Sequence, residues 1–144
     1  MKFKVHQYKD LDLTIHEATE PISTHEIISL LKDFYQNRLT TYLIWDLNKG
    51  GNPDLSPNDI TKIIGISIEY GSLRKTGKTA IVTDNDLYYG LSRMYETYNE
   101  IETDLSLQVQ VFRNFKQAIA WFGIKETEAE TFYIPLVNRI KIDE

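Results

Sequence analysis

The chain has 144 residues, 42% of them hydrophobic and 26% charged, and a formal net charge of −5. This is the composition of one ordinary soluble domain, and 16 Lys+Arg against 21 Asp+Glu leave no basic footprint for nucleic acid and disfavour an anionic membrane surface. The absence of cysteine excludes disulfides, thiol catalysis and cysteine-ligated metal centres.

The first stretch, MKFKVHQYKDLDL, lacks the continuous apolar core of a signal peptide, and no run spans a bilayer, so the cytoplasm is the expected compartment. Phe3 and Val5, then Leu11, Leu13 and Ile15, alternate with polar residues around Tyr8-Lys9-Asp10, which predicts a β-hairpin with one buried face. If its two apolar faces coincide, His6 and His16 both point away from that face. Pro21 ends the second strand, and Ser23 or Thr24 caps a helix with Ile27, Leu30, Leu31 and Phe34 on one side. TYLIWDL is apolar nearly throughout, as a strand covered on both faces is. A second helix starts near Pro57 with Ile60, Ile63, Ile64 and Ile68 at helical spacing. Gly71 to Lys78 is a loop, and KTAIVTD is a fourth strand.

In the third helix, Leu87, Leu91, Met94, Tyr95 and Tyr98 form an apolar stripe. LQVQVF alternates strictly and is expected near a sheet edge. The fourth helix, FKQAIAWFG, offers Phe115, Ala118, Ile119 and Phe122 as its inner face and Gly123 as its C-cap. The order predicts an α/β fold: a mixed sheet of about five strands, an antiparallel hairpin followed by parallel β-α repeats, with about four helices. Residues 1–123 form this domain. Residues 124–144 are an extension in which Phe132, Tyr133, Ile134, Leu136 and Val137 need burial, on the same domain or on a second copy in a homodimer, while Pro135 spoils a helix or central strand.

Motifs for chemistry are incomplete. GSLRKTGKT has five residues between its first glycine and the Gly-Lys pair where a P-loop has four, and it joins helix to strand rather than strand to helix. The three histidines stand far apart, and no nucleophile elbow is present. Asp46 and Asp84 fall at carboxyl ends of strands, with Asp54 in the adjoining loop, where a parallel sheet forms its ligand crevice. Such carboxylates hold Mg²⁺ in phosphoacceptor domains, but those domains also need a lysine and a hydroxyl at the later strand ends; here the fifth strand ends in Phe112-Arg113-Asn114, and Thr83 is the only hydroxyl in reach. Helix capping by Asp84 or Asn85, and Asp54 ahead of the second helix, is the simpler account. Tyr88 and Tyr89 face the same crevice, and Gly90 beside them leaves space for close packing or a ligand. Together with Trp45, Tyr95, Tyr98 and Trp121 they are candidates to line an apolar pocket.

Two stretches, TAIVTDNDLYYGLSRMYETY and VQVFRNFKQAIAWFGI, resemble the SpoIIAA-like branch of the STAS superfamily, over about residues 3–123. The family closes on a strand and helix of the kind seen in Val111 to Phe122, where Asn114 is placed to cap and small Ala118 to let the helix approach the sheet. The resemblance implies a β-α superhelix and a regulatory role through protein contacts. In classical STAS regulators a serine at the start of a helix, shortly after a second Asp, is phosphorylated. Asp46 and Asp54 match that Asp spacing, whereas Leu55 stands in the serine's place and Ser56 comes one residue late, before Pro57. Ser56 is therefore expected to cap its helix, with Pro57 at the first helical position.

The reading is a non-enzymatic STAS-like regulatory module acting on a protein partner, without cofactor or metal. Its candidate crevice is Asp46, Asp54, Ser56, Asp84, Asn85, Tyr88, Tyr89 and Arg113. The alternative is a domain that binds a small apolar ligand or lipid, as the CRAL-TRIO domains similar in architecture do. The last is an Mg²⁺-dependent enzyme using the strand-end aspartates.

Overall fold

In the computed structural model, residues 2–70, 76–102, 108–125 and 127–128 are described. Strand β1 (Phe3–Tyr8) turns through a 3-10 segment (Lys9–Leu11) into β2 (Leu13–Ala18). Then follow α1 (Thr24–Asn37), β3 (Tyr42–Asp46), α2 (Pro57–Tyr70), β4 (Lys78–Val82), α3 (Asp86–Glu102), β5 (Gln108–Phe112) and α4 (Phe115–Phe122). The sheet runs β1-β2-β3-β4-β5, with β1 antiparallel to β2 and the rest parallel. The expected mixed α/β architecture is the one observed.

Strand order explains the layers. From β2 to β5 the chain steps along the sheet in one direction, and right-handed crossovers put α1, α2 and α3 on one face. After β5 no strand follows, and α4 lies across the other face, where Phe115, Ala118, Ile119 and Phe122 meet Leu13, Ile15, Ile44, Ala80 and Val82. Successive strand residues point to opposite faces. With both faces covered, every residue of β2 is buried. The apolar run in TYLIWDL and the alternation of β5, an edge strand, follow from the same arrangement.

The helix ends are built as their residues dictate. Ser23 caps α1 in a reciprocal box with Glu26: the Glu26 N–H donates to Ser23 Oγ at 3.2 Å, and the Ser23 N–H to Glu26 Oε1 at 3.1 Å. The Gln117 N–H donates to Asn114 Oδ1 at 2.9 Å, and Gly123 closes α4 in the left-handed conformation, φ 81°.

Three expectations need correction. Leu11 lies in the 3-10 turn, not in a strand, and Asp12 follows it in the left-handed conformation (φ 52°). The resulting register pairs Val5 with His16 and His6 with Ile15, so the histidines face opposite sides of the sheet. His16 is buried on the three-helix side with its ring 4.4 Å from Trp45, and His6 Nε2 lies 2.9 Å from Glu17 Oε1. Ile68 and Leu87 keep helical spacing but are 51% and 55% exposed. The buried face of α2 is Ile60, Ile63, Ile64 and Ser67, which leaves Ile68 outside it.

Candidate functional site

At the carboxyl ends of the strands, Asp46 is 6% exposed, and its Oδ1 accepts the Asn48 N–H at 3.1 Å and Asn48 Nδ2 at 3.0 Å. Asn48 Oδ1 in turn accepts the Asp84 N–H at 2.9 Å. Asn48 thus ties the end of β3 to the end of β4, and the Asp46 oxygen that bonds it serves this tie. Thr83 extends the tie by donating to the Leu47 carbonyl at 3.3 Å. Asp84 itself is exposed, and Asn85 is the residue that caps α3, accepting the Tyr88 N–H on Oδ1 at 3.1 Å.

The loop from β3 to α2 is shaped by close backbone contacts. A Cβ on Gly50 would overlap the Glu20 backbone, and one on Gly51 would lie 2.8–2.9 Å from the Tyr88 ring. The Ile22 N–H donates to the Gly51 carbonyl at 2.8 Å, and Asn52 Nδ2 to Thr24 Oγ1 at 2.7 Å, so the loop is pinned to the start of α1. The Asp54 N–H closes an Asx turn on Asn52 Oδ1 at 3.1 Å. Ser56 caps α2: its Oγ accepts the Asp59 N–H at 3.1 Å while its own N–H donates to Asp59 Oδ2 at 3.1 Å. The Ser56 backbone N–H, then the Ser56 hydroxyl, hold the Asp59 carboxyl below the usual aspartate range.

Beneath this loop, between the sheet and α1, α2 and α3, lies a cavity of about 80 Å³. Leu43, Trp45, Thr79, Ile81 and Val109 form its floor. Leu31 and Tyr35 of α1, Ile63 and Ser67 of α2, and Ser92 and Tyr95 of α3 form its walls. Half-buried Ile27, Leu47, Leu55, Tyr88 and Leu91 surround its mouth. No charged side chain is among the described residues that line it.

The candidate residues therefore separate. Tyr88 belongs to the cavity, and so do Trp45 and Tyr95. Tyr89 lies under the Arg113 guanidinium, 3.8 Å from ring centre to Cζ, and Arg113 also bonds Asp86 at 2.9 Å on the surface. Trp121 packs on the opposite side of the sheet, against Phe112 and Phe122, so it is no part of a shared pocket. Gly90 is exposed and an added Cβ meets nothing within 4 Å, so close packing on the sheet does not account for it. Among the described residues no group of three or more His, Asp or Glu side chains could hold a metal. Gly71 to Lys75, and the candidate interface of Phe132, Tyr133, Ile134, Leu136 and Val137, lie outside the described residues.

Tyr35, Asn52, Ser67, Thr79 and Ser92 were not singled out from the sequence. Two of them had a signal: Tyr35 continues the stripe Ile27-Leu31 by one more helical turn, and Ser67 is a polar position one turn after Ile63.

No protein-family model and no curated protein matches the chain. Its fold is similar to the crystal structure, at 2.25 Å resolution, of an uncharacterized protein of the DUF3478 family with a SpoIIAA-like fold from Shewanella loihica PV-4. The two share 15% identity over 83% of this chain and 91% of that one, with a TM-score of 0.49. The likeness is one of fold. No helix among the described residues is long and apolar enough to cross a membrane.

Proposed function

We propose that this chain is a non-enzymatic binding module that holds a small, predominantly apolar molecule between its sheet and α1, α2 and α3. The cavity carries this reading. Well-packed interiors leave few voids larger than a water molecule, and apolar walls broken by a few polar groups are the usual lining of a ligand pocket. Its volume of about 80 Å³ is about half that of the ~150 Å³ cavity that takes a benzene ring. The inner part therefore suits the edge of a ring or the end of a short chain, with the remainder at the mouth. The bond of Asp46 to Asn48 and the capping by Ser56 and Asn85 give these residues structural duties, which supports a role other than catalysis.

As a regulatory module the chain would report occupancy through Tyr88, which touches both the cavity and the β3–α2 loop. Native mass spectrometry of the full chain, with solvent extraction, looks for a co-purified molecule. Titration with toluene measures binding directly. Leu91→Trp at the mouth is expected to abolish the bound species and the titration while leaving the fold intact. Binding that survives in Leu91→Trp, or none in the parent, refutes the proposal.

A further inference from the structure

The cavity holds a second message, in a hydroxyl. Tyr35 is 4% exposed, and its hydroxyl is buried with no hydrogen-bond partner among the described residues. Its ring is fixed on two sides, stacked on Tyr70 at 5.3 Å and 11° and edge-on to Phe34 at 5.3 Å and 71°. These contacts hold the ring in one orientation. A buried hydroxyl normally finds a partner, because leaving it dry forfeits its hydration for nothing. Tyr35 lines the cavity, and Ser67 and Ser92, both buried, line it too.

We propose, on the reading that the cavity is the binding site, that its ligand is a neutral molecule with one hydrogen-bonding oxygen, a small alcohol or phenol, which meets the Tyr35 hydroxyl. A neutral tyrosine hydroxyl both donates and accepts, so an alcohol oxygen satisfies it in either sense. The ligand's charge follows from the walls. With no charged side chain among the described residues lining the cavity, a carboxylate or phosphate drawn inside would lose its hydration without a cation to replace it. A fatty-acid anion or a phosphate headgroup is thereby disfavoured against an alcohol of the same bulk.

Three probes that share one ring test this: benzyl alcohol, toluene and benzoate, titrated into the full chain at pH 7. Binding is read by calorimetry and by the Trp45 indole N–H resonance, assigned with Trp121→Phe. Benzyl alcohol is expected to bind about three- to ten-fold more tightly than toluene. Benzoate is expected to bind at least about ten-fold more weakly than the alcohol, as an uncompensated buried charge requires. Tyr35→Phe keeps the ring and should erase the preference for the alcohol, with toluene unchanged or tighter. An alcohol-to-toluene ratio that Tyr35→Phe leaves unaltered overturns the assignment while the cavity stands as an apolar site. Benzoate binding as tightly as the alcohol overturns it as well. If none of the three binds, the binding site and the ligand class fall together.

Discussion

Replacing Gly51 by alanine tests the contact that joins the β3–α2 loop to the cavity wall. Gly51 has no positive φ, so alanine fits its backbone, and the whole effect comes from where the methyl goes. It would stand 2.8–2.9 Å from Cγ and both Cδ atoms of Tyr88. Carbon atoms rest at about 3.5–4.0 Å, so one side must retreat by roughly 0.6–1.2 Å. The loop cannot yield easily, because the Gly51 carbonyl accepts Ile22 N–H and Asn52 holds Thr24. The near edge of the Tyr88 ring is also its least mobile part, since the contact is at Cγ rather than at the hydroxyl. Overpacking of this kind costs about 1–3 kcal/mol. The loss of glycine's freedom in the unfolded chain offsets about 0.4–1 kcal/mol of it. The net expectation is a destabilisation of about 1–2 kcal/mol, or a fall in Tm of roughly 2–8 °C.

Urea titrations of the parent, Gly51→Ala, Tyr88→Ala and the double variant close a thermodynamic cycle. In the Tyr88→Ala background the methyl meets open space, so Gly51→Ala should become neutral or slightly stabilising. The coupling is then about 1–2 kcal/mol, well above the ~0.5 kcal/mol within which independent sites add. Equal costs in the two backgrounds would refute the contact. Gly50→Ala supplies the control: its Cβ would overlap the Glu20 backbone, and no change at Tyr88 should rescue it.

Other substitutions follow from the same geometry. Gly90→Ala, in α3 with open space around the added methyl, should stabilise by about 1 kcal/mol, and a Tm that does not rise in calorimetry would count against it. Ser56→Ala removes the acceptor of the Asp59 N–H and should cost about 1 kcal/mol, whereas Ser56→Asn, another good cap, should stay within a few tenths. Because the folded state holds the Asp59 carboxyl below its unfolded value, its contribution is present above pH ~4 and is lost as the pH falls through the depressed folded value. Asp59→Asn should therefore flatten the acid limb of the stability curve, measured by urea midpoints from pH 6 downward, and an unchanged slope would contradict the capping box.

Much of this protein could be read from local chemistry. The apolar stripe of α4 with Asn114 before it and Gly123 after it, the Ser23–Glu26 box, and Pro57 behind Ser56 are decided within a few residues, where hydrogen-bond geometry and helical period act alone. The antiparallel start and the parallel direction of the later strands also followed, because short connections and crossover handedness leave few topologies, whereas the order of the strands in the sheet came from the structure. The candidate site was legible only in part. Trp45, Tyr88 and Tyr95 were picked out as aromatic candidates, yet Trp121 was grouped with them, since composition does not tell which face of a sheet a helix covers.

What only the tertiary structure decided is what happens between distant segments. Hairpin register is set by the 3-10 turn and left-handed Asp12, and it sends His6 and His16 to opposite faces. The side chain of Asn48, unremarkable in sequence, reaches across to join two strand ends separated by α2. A cavity is the shape left where α1, α2 and α3 fail to fill the space over the sheet, and packing complementarity among three helices is not encoded by the period of any one. The sequence by itself determined the main helices and strands, their order along the chain and the caps Ser56, Asn114 and Gly123, because those depend on near neighbours. The hollow over the sheet, and the Tyr35 hydroxyl buried beside it without a partner among the described residues, exist only once the three helices have met.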